Sequence, residues 1–498
     1  MTSTASATDR RSLPWSWLCL LVGAALLPFT NLQTLLPVAS WLAPVFLLRF
    51  SRSHRLRVAA PALVVVMSAT VAVGMRNGFF PIAGGIDYVI FVIGLGLGGT
   101  VPYVVDRLLA PRLGVLPRTL VFPASVTTVE LLGTIGNPFG TAGSTAYSQY
   151  ASLPLMQVAS VTGIWGLTFL VCWLAPVVNE VWEHGIAGRD VKRATAVFVV
   201  ALLMAMIFGG ARLAFAGPAR EEVRVAALAP DRDLNDRAYA ERGVQLEPVL
   251  DELFSRSEAE ARAGAKIIAW SEAAALVREQ DLRDVMNRAA ELADTENVYL
   301  QLSMIVLLTN PDRNGDVNEN HATLFGPDGD VLWDYLKSKP TPGDGHSAGP
   351  GHIPDVDTPY GRLATVICQD DFFPSLLRQA GRKDVDILLL PSSDWEAVAD
   401  WHAQQAAFRA VENGTALVRP TRNGTSLATD ALGRTVGQKS DYFTGDDYTL
   451  VTSVPIEGRD TVYSVVGDTF AYACAAGLVV LAGWAVRRRM ASPKTPSA

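Results

Sequence analysis

Three short stretches carry side chains that could do covalent chemistry together. Thr365-Val366-Ile367-Cys368-Gln369-Asp370-Asp371-Phe372 reads as an apolar strand ending on a cysteine. Ile267-Ile268-Ala269-Trp270-Ser271-Glu272 puts a carboxylate just past a second strand, and Trp333-Asp334-Tyr335-Leu336-Lys337 puts an amine after a third. A free thiol with a pKa of about 8.5 needs a base to attack efficiently, and a carboxylate partly withdrawn from water can serve. A nearby ammonium favours the thiolate and stabilises the negative oxygen that develops when a thiol attacks a carbonyl. Taken singly, Glu272 and Lys337 also read as ordinary surface charges, and Cys368 as an inert buried thiol.

The elements that must position these groups lie between about Glu222 and Pro455, where short β-branched runs alternate with charged amphipathic stretches, as in a layered α/β domain. Strands are expected at Val223 to Leu228, Ile267 to Ala269, Val298 to Ile305, Ala322 to Phe325, Leu363 to Ile367, Ile387 to Leu390 and Ala416 to Arg419. Helices fall at Val249 to Ala263, Leu282 to Ala293 and Trp401 to Val411, and Asp328-Gly329 and Asn423-Gly424 read as tight turns. Open α/β sheets carry their reactive groups at the carboxyl ends of strands, where all three candidates stand. The other three of the four cysteines, Cys19, Cys172 and Cys474, sit in long hydrophobic runs, so Cys368 has no disulfide partner in this domain.

The rest of the chain is a membrane frame. Of 498 residues, 49% are hydrophobic and 18% charged, and the net charge of -7 argues against a nucleic-acid partner. Crossing a bilayer takes about 20 apolar residues. Spans are expected near Leu13 to Phe29, Leu35 to Phe50, Val58 to Met75, Ile86 to Val105, Leu120 to Ile135, Pro154 to Val178 and Ala194 to Phe215, with an eighth at Phe470 to Val486. Basic residues cluster in every second loop, from Arg10 and Arg11 to Arg487, Arg488 and Arg489, which keeps those loops cytoplasmic and puts the α/β domain outside. The weak fifth span carries Glu130, either an interfacial carboxylate or a functional intramembrane acid. The domains expected are 1-220, a membrane domain of about seven spans; 221-460, an extracytoplasmic catalytic domain; and 461-498, a last transmembrane helix with a basic cytoplasmic tail.

Glu272 in Trp-Ser-Glu-Ala-Ala, Lys337 in Tyr-Leu-Lys-Ser-Lys-Pro-Thr-Pro-Gly and Cys368 in Val-Ile-Cys-Gln-Asp-Asp resemble the ordered triad of the nitrilase (carbon-nitrogen hydrolase) superfamily. Tyr147 to Trp173, Arg409-Ala-Val-Glu412-Asn-Gly, Arg419 to Gly424, Asp430-Ala-Leu-Gly433-Arg and Thr461-Val-Tyr463 to Asp468 extend the resemblance to the apolipoprotein N-acyltransferases. It implies a four-layer αββα nitrilase-like domain beside a multi-pass α-helical membrane domain, in the plasma membrane of a bacterium. Glu272 would be general base, Lys337 oxyanion stabiliser and Cys368 the acylated thiol. The partners implied are a phospholipid acyl donor and the N-terminal amine of a diacylglyceryl-cysteine lipoprotein, with no cofactor and no metal.

Asp344, Asp370, Trp270 and Trp395 are supporting candidates, and Trp270, Trp333, Phe372, Phe373 and Trp395 could line an acyl-sized groove. The acyltransferases usually run through Pro-Phe-Gly-Glu after the lysine. Here Pro342-Gly343-Asp344-Gly345-His346 has glycine at the expected glutamate, with Asp344 one place early, and Gln369 stands where a tyrosine is usual. Asp370 takes the place of a glutamate. A membrane-tethered amidase or nitrilase that delivers its acyl group to water is the alternative. His346 and His352 read as part of a Gly/Pro-rich lid from Pro342 to Pro354, and His402 as a pocket-lining or surface residue rather than a second base.

Overall fold

The structure is a computed structural model that describes residues 13–30, 34–76, 85–217, 221–230, 247–343, 345–440 and 448–491. The N-terminal apolar runs fold as helices α1 (Leu13–Leu26), α2 (Pro37–Ser53), α3 (Leu56–Gly74), α4 (Ile86–Leu109), α5 (Val115–Gly133), α6 (Leu153–Met156), α7 (Ala159–Thr162), α8 (Ile164–His184) and α9 (Arg189–Ala214). Among the described residues six helices are long and apolar enough to cross a bilayer: α3, α4, α5, α8, α9 and the helix Thr469–Ala491 near the chain end. Among the described residues helices α1 and α2 are shorter, at 14 and 17 residues.

One expected span is corrected. Pro154 to Val178 is not continuous, because the chain makes two single-turn helices and then a sharp corner at Gly163 before α8 begins. Gly163 has φ +63, and a Cβ there would sit 2.5 Å from the Tyr463 ring. Only glycine fits that corner. The weak fifth span is a helix, and its Glu130 is a hydrogen-bonded carboxylate. Its oxygens accept from Ser144 Oγ (2.9 Å), Thr168 Oγ1 (2.8 Å), Thr145 N (2.9 Å) and Thr145 Oγ1 (2.7 Å). Glu130 therefore anchors the loop that joins α5 to α8.

The α/β domain is built on two sheets. The strands are β1 (Glu222–Leu228), β2 (Ile267–Trp270), β3 (Ala275–Arg278), β4 (Tyr299–Leu307), β5 (Asn318–Phe325), β6 (Val331–Leu336), β7 (Asp355–Thr358), β8 (Gly361–Thr365), β9 (Ile387–Leu389), β10 (Ser392–Ser393), β11 (Ala416–Arg419), β12 (Thr421–Arg422), β13 (Ser426–Thr429), β14 (Thr435–Lys439) and β15 (Thr449–Pro455). One sheet runs β15-β1-β2-β4-β5-β6, with β3 also on β4, and the other runs β14-β13-β11-β9-β8-β7. The helices that cover them are α10 (Glu247–Arg262), α11 (Leu282–Glu296), α12 (Pro374–Arg382) and α13 (Ala399–Asn413), followed by α14 (Val462–Val466) and α15 (Thr469–Ala491).

Strand alternation dictates the layers. Val223, Val225 and Ala227 of β1 pack with Leu363, Ile387 and Leu417 of the facing sheet, whereas Ala226 and Leu228 pack with Val249, Leu253 and Phe254 of α10. On the far side, Leu376 and Leu377 of α12 and Ala406 and Ala410 of α13 cover the second sheet. The order is therefore helices, sheet, sheet, helices, an αββα sandwich. Helix α13 has a further neighbour: Ala403, Ala407, Phe408 and Val411 pack against Tyr147, Trp165 and Leu170 of the membrane helices and their loop. With 13 of its 15 residues buried, α13 is shared by both halves of the protein.

Candidate active site

Strand ends converge on one cavity of about 180 Å³, lined among others by Glu272, Lys337, Cys368, Asn320, Trp395 and His402. Strand β2 runs parallel to β1 and β4, so its end delivers Glu272 to the same rim as the end of β6, which delivers Lys337. Cys368 follows β8 and opens a 3₁₀ turn, Cys368–Phe372. It has φ +45, and Ala273 beside Glu272 has φ +48. Left-handed backbone at residues other than glycine is strained and persists only where the surroundings hold it. Around Cys368 that hold includes Cys368 N donating to Pro391 O at 2.9 Å, and Ile367 N donating to the Asp370 carboxylate at 3.0 Å.

Glu272 Oε1 accepts from Lys337 Nζ at 2.7 Å and from Asn320 Nδ2 at 2.8 Å. Burial works to raise the Glu272 carboxyl, but the Lys337 ammonium, the Cys368 thiol and the Asn320 amide outweigh it and hold it below the usual value. Burial likewise opposes charge on Lys337, and the Glu272 carboxylate overrides it, so the amine stays protonated. Cys368 is pushed well above the ordinary thiol value, first by burial and then by the Glu272 charge. The resting thiol is thus neutral, beside an ionised carboxylate and an ammonium. Its Sγ donates to Ser393 O at 3.7 Å.

Behind the thiol lies a buried charge network. His402 Nδ1 is 2.8 Å from Asp394 Oδ1 and Nε2 is 3.1 Å from Asp371 Oδ1, while Arg419 Nη2 reaches both Asp394 oxygens at 3.1 and 3.0 Å. Burial would lower His402, but Asp371 and then Asp394 outweigh it, and the imidazolium is favoured. Ligand atoms of Cys368, Asp394 and His402 lie within 4.8 Å of one another. Both imidazole nitrogens already face carboxylates, so this set is an ion-paired network rather than an open metal site.

The supporting residues divide. Trp395 and Phe372 line the cavity, and Phe373 packs beside it. Asp370 stays out of the cavity wall but ties its parts together, accepting from Tyr335 OH (2.8 Å), Lys339 N (2.7 Å) and Ile367 N, and burial pushes its carboxyl up to about 6. Trp270 is corrected. It is fully buried in the layer between the first sheet and α10, packs on Phe254, and donates to Ser257 Oγ at 2.9 Å. Trp333 lies in the core between the sheets. Asp344 lies outside the described residues. The stretch expected as a lid is partly pinned: Ser347 N donates to Asn318 O and Gly349 N to Lys337 O, and His346 is buried in the cavity wall while His352 is exposed.

Asn320, Asp394 and Phe139 were not singled out from sequence. Asn320 had no signal, because it stands in the polar first half of β5, Asn318-Glu-Asn-His. Phe139 had none either. It comes from the loop between α5 and α8 and reaches the cavity only through the packing of membrane and α/β halves.

Residues 234–461 match the carbon-nitrogen hydrolase family model. The chain is 28% identical over 388 residues to an apolipoprotein N-acyltransferase of Geobacter metallireducens, covering 71% of each chain. It is 28% identical over 368 residues to apolipoprotein N-acyltransferase 2 of Treponema pallidum, covering 62% of this chain and 65% of that one. An amidase from Nesterenkonia sp. superposes with a TM-score of 0.40 at 18% identity, over 52% of this chain and 98% of that one. Fold and family match define a nitrilase-superfamily domain joined to apolar helices. Along most of its length the chain is similar to proteins named apolipoprotein N-acyltransferase, and its residues 234–461 are similar to the carbon-nitrogen hydrolases.

Proposed function

We propose that this protein is a membrane N-acyltransferase that moves a fatty acyl group from a phospholipid, through a thioester on Cys368, to the N-terminal amine of a diacylglyceryl-cysteine lipoprotein. The observation that carries the reading is the cavity itself, where Cys368, Glu272 and Lys337 share walls with Phe139, a residue supplied from between two membrane helices. The names of the relatives support the same chemistry.

In the first half-reaction Cys368 Sγ bonds to the ester carbonyl carbon and Glu272 takes the thiol proton. Lys337 and Asn320 both bond to Oε1, which leaves Oε2 for that proton. Lys337 stabilises the oxyanion. The carbon–oxygen bond then breaks, and the lysophospholipid leaves with the proton from Glu272. In the second, the acceptor amine attacks the thioester, Glu272 takes its proton, and the carbon–sulfur bond breaks to restore the thiol. No redox step or cofactor is needed. The organisation proposed is the membrane domain 1–220, an extracytoplasmic catalytic domain 221–460 and a final span, so that donor and acceptor are both concentrated in the outer leaflet beside the site.

The test loads detergent-solubilised enzyme with phospholipid, removes excess donor and follows the mass of the Cys368 peptide with and without a diacylglyceryl-cysteine peptide. A long-chain adduct that persists alone and is discharged as N-acylated peptide supports the reading. Release of free fatty acid at the same rate with or without peptide overturns it in favour of a hydrolase.

A further inference from the structure

The turn that carries the nucleophile is gripped from outside its own domain. Thr141, in the loop between α5 and α8, donates twice to Phe372 O, from its backbone N and from Oγ1, each at 2.9 Å. Gln369, next to Cys368, donates from Nε2 to Pro138 O of the same loop at 2.8 Å and accepts from Thr341 Oγ1 at 3.1 Å. Gly140 lies between these contacts with φ +47, and a Cβ there would stand 2.3 Å from Phe372 O. No side chain fits at that distance, so the loop backbone lies directly on the turn. Both ends of Cys368–Phe372 are thus held by residues that belong to the membrane half.

The loop is itself braced. Asn137 caps it, with Oδ1 accepting from Phe139 N at 3.0 Å and Nδ2 donating to Gly140 O at 3.3 Å. Thr141 Oγ1 is also 2.7 Å from Tyr147 OH, which accepts from Arg409 Nη2 at 3.1 Å, and Arg409 pairs with Glu412 at 2.9 Å. Glu412 Oε1 accepts from Ile164 N, the first residue of α8, at 2.9 Å. Glu130 of α5 anchors the loop's other side. The strained Cys368 backbone stands at the end of this chain of contacts, and strain of that kind lasts only while its neighbours over-determine it.

We propose that the loop 137–142 is a positioning element of the catalytic centre, in which Gly140, Thr141 and the Pro138 carbonyl hold the Cys368–Phe372 turn in the conformation that aims the thiol. Gln369 is its partner on the catalytic side, which gives the residue in place of the usual tyrosine a stated role. The inference rests on Cys368 as the nucleophile, but not on the identity of the acyl donor.

The experiment uses the full-length protein in detergent with three variants, Thr141→Val, Thr141→Ser and Gly140→Ala. Iodoacetamide labelling of the Cys368 peptide is followed by mass, and phospholipid-dependent acylation is measured in parallel. Thr141→Val is expected to slow both alkylation and the acylation kcat by about 5- to 30-fold, the scale of one or two kcal/mol from lost buried hydrogen bonds, with the KM for phospholipid within about twofold. Thr141→Ser keeps the hydroxyl and is expected to retain wild-type rates. Gly140→Ala is expected to exceed Thr141→Val; should it fail to fold, the valine and serine pair decides alone. Wild-type rates in Thr141→Val, equal losses in valine and serine, or a rise in KM alone overturn the proposal. Alkylation needs no lipid, so it reads the clamp even if the phospholipid reading fails.

Discussion

Replacing Glu272 by Gln tests the chemistry and the energetics of the centre at once. The carboxylate and Lys337 form a buried pair at 2.7 Å, with side-chain exposures of 6% and 3%. Removing one member of such a pair leaves an uncompensated buried charge, which costs about 3–5 kcal/mol. Glu272→Gln is therefore expected to lower the melting temperature of the detergent-solubilised protein, and to lower turnover by about 10²–10⁴ through the lost base. Lys337→Met alone leaves the carboxylate buried without its cation and is expected to be comparably costly. The double variant is the decisive one: with neither charge present it is expected to be more stable than Glu272→Gln, although no more active, because members of one catalytic unit do not add. The pH dependence has a definite sign. Glu272 is held below its ordinary value, so its contribution is complete above about pH 4.3 and is lost as the pH falls through the lowered folded value. The readouts are thermal unfolding and acyl-adduct formation on Cys368. Stability costs that simply sum in the double variant, or an unchanged melting temperature in Glu272→Gln, would refute the coupled-pair argument.

Other outcomes are expected from the same geometry. His402 is raised by Asp371 and Asp394, with Arg419 also facing Asp394, so its stabilisation is full below about pH 6.5 and is lost as the pH climbs through the raised value; His402→Asn should flatten that alkaline limb in melts against pH. Trp270→Phe should leave the acylation rate near wild type and cost about 1 kcal/mol from the lost bond to Ser257, because the indole is in the core and not in the groove. Trp395→Ala, by contrast, should raise the KM for phospholipid, since this side chain is 37% exposed on the cavity wall. Reporters fused after Arg220 and after Arg489 should read extracytoplasmic and cytoplasmic respectively; both on one side would remove the last crossing.

How much of this was legible in the sequence follows burial. Strands β2, β4 and β11 have nearly every residue buried, β1 is buried from Val225 onward, and each carries a mainly apolar run. The edge strands β7 and β14 are half-exposed throughout and carry Asp355-Val-Asp-Thr and Thr435-Val-Gly-Gln-Lys, which have no apolar pattern to read. Helix α12 is only nine residues long, and Arg378, Arg382 and Lys383 at its end read as a solvated face. Yet Lys383 Nζ bonds Ile353 O and Asp355 Oδ1. Trp270 illustrates a parity that was available and unused. Ile268 and Trp270 share one face of β2, Ile267 takes the other, and the helix-facing side of that strand cannot line a cavity at its end. The strand ends before Glu272 and Cys368 adjoin buried runs, whereas β6 before Lys337 is only partly buried; Glu272 and Lys337 read singly as surface charges, and the family resemblance picked them out. His402 was legible as a pocket-lining residue, but Phe139 and Asp394 were not, since their place depends on how separate elements pack.

That packing turns on α13. Its Ala406 and Ala410 lie on the second sheet, its Ala403, Ala407, Phe408 and Val411 lie on the membrane helices, and its His402 lines the cavity that holds Cys368. A helix buried on two faces needs a covering layer beyond the sheet it packs on. Here α8 and the loop before it are that layer. The same loop then supplies Phe139 to the cavity wall and Thr141 to the Cys368–Phe372 turn. The cost of burying Arg409 and Glu412 between the halves is met by pairing them with each other and with Tyr147 OH and Ile164 N. Burial still pushes the Glu412 carboxyl up to about 7, against the pull of Arg409. A polar joint of this kind adds little attraction over an apolar one, but it admits few alternative registers. Register is what the chemistry needs, because a shift of α8 against α13 would carry the loop, and with it the Cys368 turn, out of line with Glu272 and Lys337.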